Sequence, residues 1–256
     1  MSDVRLSHMR MPEVVEGKWE VALFPVGSTE PHAFHLAYGT DTVAVSRFAK
    51  RAVTAANEQG AKVLLLPTLP ISCNENVWQC PWAMSLQPRT LMTIVGDVVR
   101  TCARNGVHKV LVLNGHGGNT SVLQAALREL AADRESFVAL TEQWVLSHPV
   151  ELELAETEER GHACETETSI MLAVAPEFVD MGAAKPTKGR STVFSDGVLA
   201  FTPYWNIYTR NTGLGDPTKA TAEKGERMIE LAVKRLARAL KELSDAPMDE
   251  LFPYQE

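Results

Sequence analysis

The stretch Gly27-Ser-Thr-Glu-Pro-His-Ala-Phe-His-Leu-Ala-Tyr-Gly-Thr-Asp41 joins two segments of different character. The apolar run 21–26 before it predicts a buried strand, and the amphipathic run after it predicts a helix. The polar stretch is therefore a loop at the carboxyl end of a strand, where α/β proteins bind their ligands. Its four candidate ligand side chains are Glu30, His32, His35 and Asp41.

Two carboxylates and two imidazoles on one loop suit a divalent metal ion, because they supply oxygen and nitrogen donors without sulfur. The alternative is an ordinary polar loop in which Asp41 caps the following helix. The loop by itself does not choose between these interpretations.

The composition is ordinary for a globular protein and is compatible with a small-molecule enzyme. The 256 residues suit one large domain, predicted as 1–256, and the apolar fraction of 45% is ordinary. A formal charge of −7 without a Lys/Arg cluster argues against nucleic-acid binding. No apolar run is long enough for a membrane span, and segment 1–19 lacks a signal-peptide core. Four cysteines without CxxC spacing are typical of reduced thiols, so we expect a cytoplasmic protein.

Strand and helix patterns alternate along the chain. Predicted strands cover 20–26, 62–66, 107–113 and 137–140, and predicted helices cover 41–59, 88–104, 120–133, 164–175 and 217–243. Apolar strands separated by helices predict an α/β fold with a mostly parallel sheet covered on both faces. The segments predicted to lack regular structure are an N-terminal arm at 1–18 and loops at 67–87, 144–161 and 182–216.

A second polar cluster, Asn114-Gly-His-Gly-Gly-Asn119, follows the third predicted strand. Its glycines allow a sharp turn, and His116 emerges at the same sheet edge as Glu30 and His32. The alternative is a glycine turn that binds an anion at a helix N-terminus.

A third cluster, Gly161-His-Ala-Cys-Glu-Thr-Glu-Thr-Ser169, opens the fifth predicted helix. Glu167 shares a helical face with apolar residues, where a carboxylate needs a metal or a counter-charge because burying it unpaired costs several kcal/mol. Glu165 lies off that face, where a carboxylate at the helix N-terminus is favoured by the helix dipole.

Together these motifs resemble the creatininase (creatinine amidohydrolase) family. The matching elements are Glu30-x-His32 with His35 and Gly39-Thr-Asp41, Asn114-Gly-His-Gly-Gly-Asn119, His162-Ala-x-Glu-x-Glu-Thr-Ser169, and Gly213-Leu-Gly-Asp-Pro217 with Lys224-Gly225. They run in order from residue 21 to about 225, which is most of the chain. The resemblance implies a three-layer α/β/α sandwich, hydrolytic chemistry with two divalent metal ions (Zn, Mn or Fe), and a homo-oligomer, often a hexamer.

The resemblance also implies roles for individual residues. Glu30 and His116 would hold one metal ion, His32 would hold the other, and Asp41 would bridge them. His162 matches the family histidine of proton transfer. Creatininase has a glutamate ligand where this chain has Gly118, and we assign this ligand role to Glu167. The predicted catalytic residues are therefore His162 and Glu167. His35 and Asn114 are expected to support the ligands by contacts without binding metal themselves. The alternative for His35 is a purely structural role.

Substrate contacts are expected from the long loops. The candidates are Asn74, Asn76, Trp78, Trp82, Trp144 and Trp205. Aromatic side chains there could wall a small ring, or, for Trp205, pack subunits together. The chain lacks the family's Phe-Pro-Gly-Thr run and the lid tryptophan that precedes Gly161-His162 in creatininase, which argues against creatinine itself.

Three functional hypotheses follow. The first is a metal-dependent hydrolase of a small cyclic or formylated amide, in which activated water attacks the carbonyl carbon. The second is hydrolysis of a C–C bond in a cyclic diketone, such as an inositol-derived diketone, with Asn74 and Asn76 binding hydroxyl groups. The third is a metal- or sugar-binding protein without turnover, which predicts a lost ligand or proton donor.

Overall fold

The fold is organised around a parallel sheet. The computed structural model describes residues 3–132, 134–194 and 199–254. Within these ranges the strands of the main sheet are β1 (Val21–Val26), β2 (Val63–Leu65), β3 (Lys109–Asn114) and β4 (Phe137–Glu142). All pairs are parallel, in the order β2-β1-β3-β4. The four predicted strands are confirmed.

Helices cover both faces of this sheet, which confirms the three-layer α/β/α sandwich. On one face lie α2 (Thr40–Glu58) and α8 (Ala222–Asp245), and on the other lie α3 (Pro88–Arg104) and α4 (Thr120–Leu130). Successive residues of a strand point to opposite faces, so Leu23 packs in the first core and Ala22 in the second.

The described residues also form four further α-helices and two short strands. They are α1 (Met11–Glu16), α5 (Gln143–Leu154), α6 (Glu165–Val174), α7 (Trp205–Tyr208), β5 (Arg160–His162) and β6 (Leu214–Gly215). Strands β5 and β6 form a separate antiparallel pair. Two predicted segments extend beyond the described residues: the helix predicted for 120–133 at residue 133, and the irregular loop predicted for 182–216 at residues 195–198.

The prediction of a loop over 144–161 is wrong, because α5 occupies most of it. Pro149 lies inside this helix and has no N–H to donate to the carbonyl of Val145. Arg235 of α8 supplies the missing donor, since its Nη1 donates to the carbonyl oxygens of Val145 and Leu146, both at 2.9 Å. A tertiary contact therefore stabilises a helix that the local sequence disfavours.

Helices α6 and α8 cross at a very short distance. A Cβ atom added at Gly225 would lie 1.9 Å from the carbonyl oxygen of Ser169, so only glycine fits at this crossing. The carboxylate of Glu165 is buried next to it, only 1% exposed, and accepts a hydrogen bond of 2.6 Å from Lys224 Nζ. The sequence does not predict this burial, which is possible because Lys224 and the Thr157 donors compensate the charge of Glu165.

Across the described residues, no helix is both long enough and apolar enough to span a bilayer.

Candidate metal centre

Two loops converge because the strands before them end at the same level. The β1–β3 register pairs Val26 with Asn114, and the β3–β4 register pairs Asn114 with Glu142. The loop after β1 and the turn after β3 therefore leave the sheet side by side at its carboxyl edge. The loop after β1 carries Glu30, and the turn after β3 carries His116.

The first donor group consists of Glu30, Asp41 and His116. His116 Nδ1 lies 2.9 Å from Glu30 Oε1 and 3.1 Å from Asp41 Oδ2. All three residues are buried. Their ligand atoms lie within 4.8 Å of one another, a separation that a single metal ion can bridge.

The second donor group consists of His32, Asp41 and Glu167. His32 Nε2 lies 3.0 Å from Asp41 Oδ1 and 3.8 Å from Glu167 Oε1. Asp41 thus belongs to both groups through different oxygens. Glu167 is 28% exposed and faces the cavity described below, whereas His32 and Asp41 are buried.

Each histidine of the two groups is held through its outer ring nitrogen. His32 Nδ1 lies 3.1 Å from the carbonyl oxygen of Glu30, and His116 Nε2 lies 3.2 Å from the carbonyl oxygen of Cys73. When the imidazole is neutral, a hydrogen bond to a carbonyl assigns the proton to the outer nitrogen and leaves the lone pair on the inner nitrogen, which faces the carboxylates. Histidines that bind metals are oriented in this way.

The buried carboxylates carry oxygens that need a cation. Glu30 Oε1 and Asp41 Oδ2 are inaccessible to solvent, and within the described residues neither accepts an aligned hydrogen bond. Although burial favours the neutral imidazole, Glu30 and Asp41 raise the pKa of His116 to about 10. Asp41 and Glu167 likewise outweigh burial and raise the pKa of His32 well above its ordinary value. Divalent cations would balance the same carboxylates, so the donor set fits a metal centre.

His162 lies beside both groups at the end of β5. Its ring contacts that of His32 at a centroid distance of 4.1 Å with the ring planes tilted by 38°, and its Nδ1 is 3.9 Å from Glu30 Oε1. Its Nε2 lies 3.0 Å from the carbonyl oxygen of Pro31. The ring is thereby fixed with Nδ1 directed toward the donor groups.

The two predicted supporting residues differ in their contacts. The Asn114 side-chain oxygen accepts a hydrogen bond of 3.1 Å from the His116 backbone N–H, so Asn114 shapes the turn that carries this histidine. His35 Nε2 lies 2.9 Å from Thr168 Oγ1, which ties the first loop to α6 beside Glu167. Among the described residues, the His35 side chain forms no hydrogen bond or ion pair with a candidate ligand.

A cavity of about 550 Å³ opens over the donor groups. Of the predicted substrate residues, Asn76, Trp144 and Trp205 line it. The structure does not bring Trp78, Trp82 or Asn74 into its lining. Trp78 and Trp82 are 65% and 86% exposed, while Asn74 is buried and donates to Ser28 Oγ and the carbonyl of Met84.

Sequence reasoning missed part of the cavity wall because it missed α5. That helix contributes Gln143, Ser147 and Glu151, and Arg160 of β5 completes the polar end. Arg160 Nη1 lies 3.8 Å from Glu151 Oε1. Recognising α5 as a helix with one face toward the third cluster would have revealed these residues.

Gly118 leaves space that His116 uses. A Cβ atom added there would lie 2.4 Å from His116 Nε2 and 2.7 Å from the carbonyl oxygen of Cys73. A larger residue would therefore displace the imidazole from its carbonyl partner. This contact explains physically why a glutamate cannot occupy position 118 without moving His116.

Comparison with known proteins identifies relatives over most of the chain. The sequence profile of the creatininase family, described as creatinine amidohydrolase, matches residues 7–240. The chain is 28% identical over 234 residues to a mycofactocin precursor peptide peptidase of Mycobacterium ulcerans (strain Agy99), covering 86% of each protein. It is 27% identical over 246 residues to creatinine amidohydrolase of Pseudomonas putida, covering 87% of this chain and 89% of that one.

Solved structures share the fold. A protein from Bacteroides fragilis NCTC 9343 with the provisional description creatinine amidohydrolase superposes with a TM-score of 0.88 and 30% identity, covering 98% of this chain and all of that one. A structure described as creatininase Mn superposes with a TM-score of 0.79 and 24% identity, covering 96% of this chain and all of that one.

Proposed function

The chain belongs to the creatininase family, and we propose that it is a hydrolase that uses two divalent metal ions to cleave an amide C–N bond in a small substrate. The single observation that carries this proposal is the position of Asp41. Its Oδ1 faces His32 and its Oδ2 faces His116, so one carboxylate belongs to two donor groups. A bridging carboxylate of this kind is what a pair of metal ions needs.

The residues divide into two ligand sets. Glu30 and His116 would hold one ion, and His32 and Glu167 the other, with Asp41 shared. When bound, the two ions would polarise the substrate carbonyl and lower the pKa of a water molecule toward neutrality. Oxygen and nitrogen donors of this type serve zinc, manganese and iron alike. Among solved creatininases, one is described as a manganese form and another as a Zn–Zn form.

His162 is assigned to proton transfer. Its Nε2–H donates to the Pro31 carbonyl, so Nδ1 is the nitrogen free to exchange a proton with the reacting groups. Nδ1 would take a proton from the attacking water and pass it to the leaving nitrogen as the C–N bond breaks, so that the amine leaves in its neutral form. Trp205, whose ring centroid is 5.2 Å from that of His162, would exclude water from this side of the cavity.

The relatives' names support amide chemistry. An amidohydrolase and a peptidase both cleave C–N bonds, and these are the activities named for the relatives from Pseudomonas putida and Mycobacterium ulcerans. The cavity suits a small molecule, since its volume of about 550 Å³ lies within the range of small-ligand pockets. Trp144 and Trp205 supply apolar walls that suit a cyclic or formylated amide.

Hydrolysis of a C–C bond in a cyclic diketone is the second candidate. It is favoured by a 24% identical relative named 3-dehydro-scyllo-inosose hydrolase from Thermotoga maritima, which the alignment covers to 78%. Asn76 lines the cavity and could bind a hydroxyl group. Asn74 is buried with its amide donating to Ser28, so it is not available for this role. We therefore place amide hydrolysis first.

A substrate panel with a ligand variant tests the proposal. Purified enzyme should hydrolyse at least one member of a panel of cyclic amides, N-formyl amides, short peptides and cyclic diketones, and chelation should abolish turnover. Glu30→Gln should remove turnover while the thermal melting temperature stays near that of the wild type. Turnover that survives chelation, or that persists in Glu30→Gln, would contradict the proposal.

We also propose a homo-oligomer, as the family resemblance implies. Large apolar side chains on the late segment are solvent-exposed in the single chain, including Val193 at 93% and Leu199 at 55%. Sedimentation equilibrium tests this proposal, and a mass equal to one chain of 28.1 kDa would contradict it.

A further inference from the structure

A second cavity, separate from the candidate metal centre, is strongly basic. Its volume is about 470 Å³, and it lies between residues 185–190 and 208–211 with Phe34 at one side. Its cationic lining residues are Lys185, Lys188, Arg190 and Arg210, and no aspartate or glutamate lines it. Such a concentration of positive charge is unexpected in a chain of net charge −7.

The four cations lack an acidic partner within the described residues. Among residues 3–132, 134–194 and 199–254, none of them forms an ion pair with a carboxylate. Four like charges around one concavity repel each other, so an anion bound between them would relieve the repulsion.

A buried hydroxyl group provides a second observation. Thr209 lines the same cavity, is only 3% exposed, and its Oγ1 has no hydrogen-bond partner in the described part of the chain. A buried hydroxyl without a partner is unfavourable, and a rotation of the Thr209 side chain toward the cavity would let a ligand oxygen satisfy it.

The walls of this basic cavity are fixed by main-chain contacts. Arg190 N donates to the carbonyl oxygen of Tyr208 at 2.8 Å, and Thr187 and Gly215 exchange two backbone hydrogen bonds of 2.9 and 2.8 Å. Gly189 packs directly on the Tyr208 ring, since an added Cβ would lie 2.2 Å from it. The basic side chains therefore project from segments that backbone hydrogen bonds join to one another.

We propose that this basic cavity binds a phosphate-bearing small molecule. Arginine guanidinium groups match the geometry of phosphate oxygens with two parallel hydrogen bonds, and a threonine hydroxyl commonly donates a further one. The charges surround a concavity rather than extending along a surface, which suits a compact anion and not a nucleic-acid strand.

The site is distinct from the candidate metal centre but shares a wall with it. Helix α7 carries Tyr208 at the basic cavity and Trp205 at the metal-centre cavity, and the two rings lie 5.7 Å apart. The proposal concerns binding at the basic cavity and does not depend on the proposed hydrolytic activity.

Calorimetric titration with inorganic phosphate and with glycerol 1-phosphate tests the proposal, using metal-loaded and chelated protein at low ionic strength. Wild-type protein should bind at least one of them at one site per chain, with the same affinity in both preparations. Arg190→Met/Arg210→Met should weaken binding by at least about tenfold, because hydrogen bonds to charged groups are lost. Tighter binding of the ester than of phosphate would identify an organic phosphate, and equal binding would identify inorganic phosphate.

Two control variants distinguish binding at this cavity from a general effect of lost positive charge and from misfolding. Arg104→Met/Arg128→Met removes the same charge from exposed positions on α3 and α4 and should change the affinity by less than about twofold. Thr209→Val conserves shape, so a several-fold loss of affinity in a folded Thr209→Val protein supports the site even if the double variant fails to fold. Three results would overturn the proposal: no saturable binding to the wild type, equal weakening by the control, or binding that disappears on chelation.

Discussion

The Nε2 atom of His162 lies 3.0 Å from the carbonyl oxygen of Pro31. The same carbonyl accepts a hydrogen bond of 3.0 Å from Thr212 Oγ1. Pro31 stands between Glu30 and His32 in the chain, so the proposed proton-transfer residue is anchored to the loop that carries two of the proposed ligands. This contact also directs Nδ1 of His162 toward Glu30 Oε1, at 3.9 Å.

His162→Gln should separate proton transfer from metal binding. Glutamine retains an N–H that can donate to Pro31 but cannot carry a proton at neutral pH, so kcat should fall by about 10²–10⁴-fold. Metal content should stay at the wild-type value, because His162 is not among the proposed ligands. Steady-state kinetics and elemental analysis measure both quantities. If the variant loses metal and its kcat per bound metal ion equals that of the wild type, His162 is a metal ligand and the prediction is wrong.

Metal binding should release protons from the apoprotein. Neighbouring carboxylates raise the pKa of His116 to about 10 and that of His32 well above its ordinary value, so both imidazoles are protonated at pH 7. A metal ion requires them neutral, so loading should release about two protons per chain. The release from His116 should vanish as the pH rises through about 10.

Titration calorimetry in two buffers of different ionisation enthalpy, such as PIPES and Tris, measures this release. His116→Ala should reduce it by about one proton per chain, provided that the remaining site still loads. A binding enthalpy that is the same in both buffers would contradict the prediction.

The sequence was sufficient to predict which residues meet at the sheet edge. Parallel strands align their carboxyl ends, so polar residues placed directly after β1 and β3 must come together. Glu30, His32, Asp41 and His116 could be found for this reason. Their roles as metal ligands stay predictions that the metal-content measurement below addresses.

Features that depend on tertiary contacts could not be predicted in this way. Helix α5 contains Pro149 and depends on Arg235, which is far away in sequence. The burial of Glu165 could not be predicted because its partner Lys224 lies on another helix. Because α5 was not predicted, the sequence did not show that Trp144 lines the cavity from this helix, whereas Trp82 is 86% exposed and lies outside the lining.

Gly118→Ala should weaken metal binding more than it destabilises the fold. The added Cβ would overlap His116 Nε2 and push the imidazole away from the Cys73 carbonyl. We expect metal affinity to fall by about 10–100-fold, as when the support of a ligand is lost. Gly117→Ala is the matched control, because no atom lies within 4 Å of its added Cβ. Equal effects of the two substitutions on metal affinity would refute this explanation.

Lys224→Met should lower the free energy of unfolding by about 3 kcal/mol at pH 7, since it leaves the buried Glu165 carboxylate without its cation. Burial alone would raise the pKa of Glu165, but hydrogen bonds from Lys224 and Thr157 outweigh it and lower that pKa below its usual value. A lowered pKa stabilises the folded state above the ordinary glutamate range, and this stabilisation is lost as the pH falls through the lowered value.

Urea denaturation across acidic and neutral pH measures the Lys224→Met effect. The difference from the wild type should shrink as the pH falls below about 4. Arg238→Met, which breaks the exposed pair with Glu242, should cost no more than about 1 kcal/mol at any pH. A difference for Lys224→Met that does not depend on pH would count against the ionic role of Glu165.

The metal content of the purified protein tests the central proposal most directly. Elemental analysis of wild-type protein prepared without chelator should give about two divalent ions per chain, since Asp41 faces two donor groups. A folded Asp41→Asn protein should retain less than one, because both groups lose their shared carboxylate. One ion or none in the wild type, after incubation with zinc, manganese and iron in turn, would contradict the dinuclear centre.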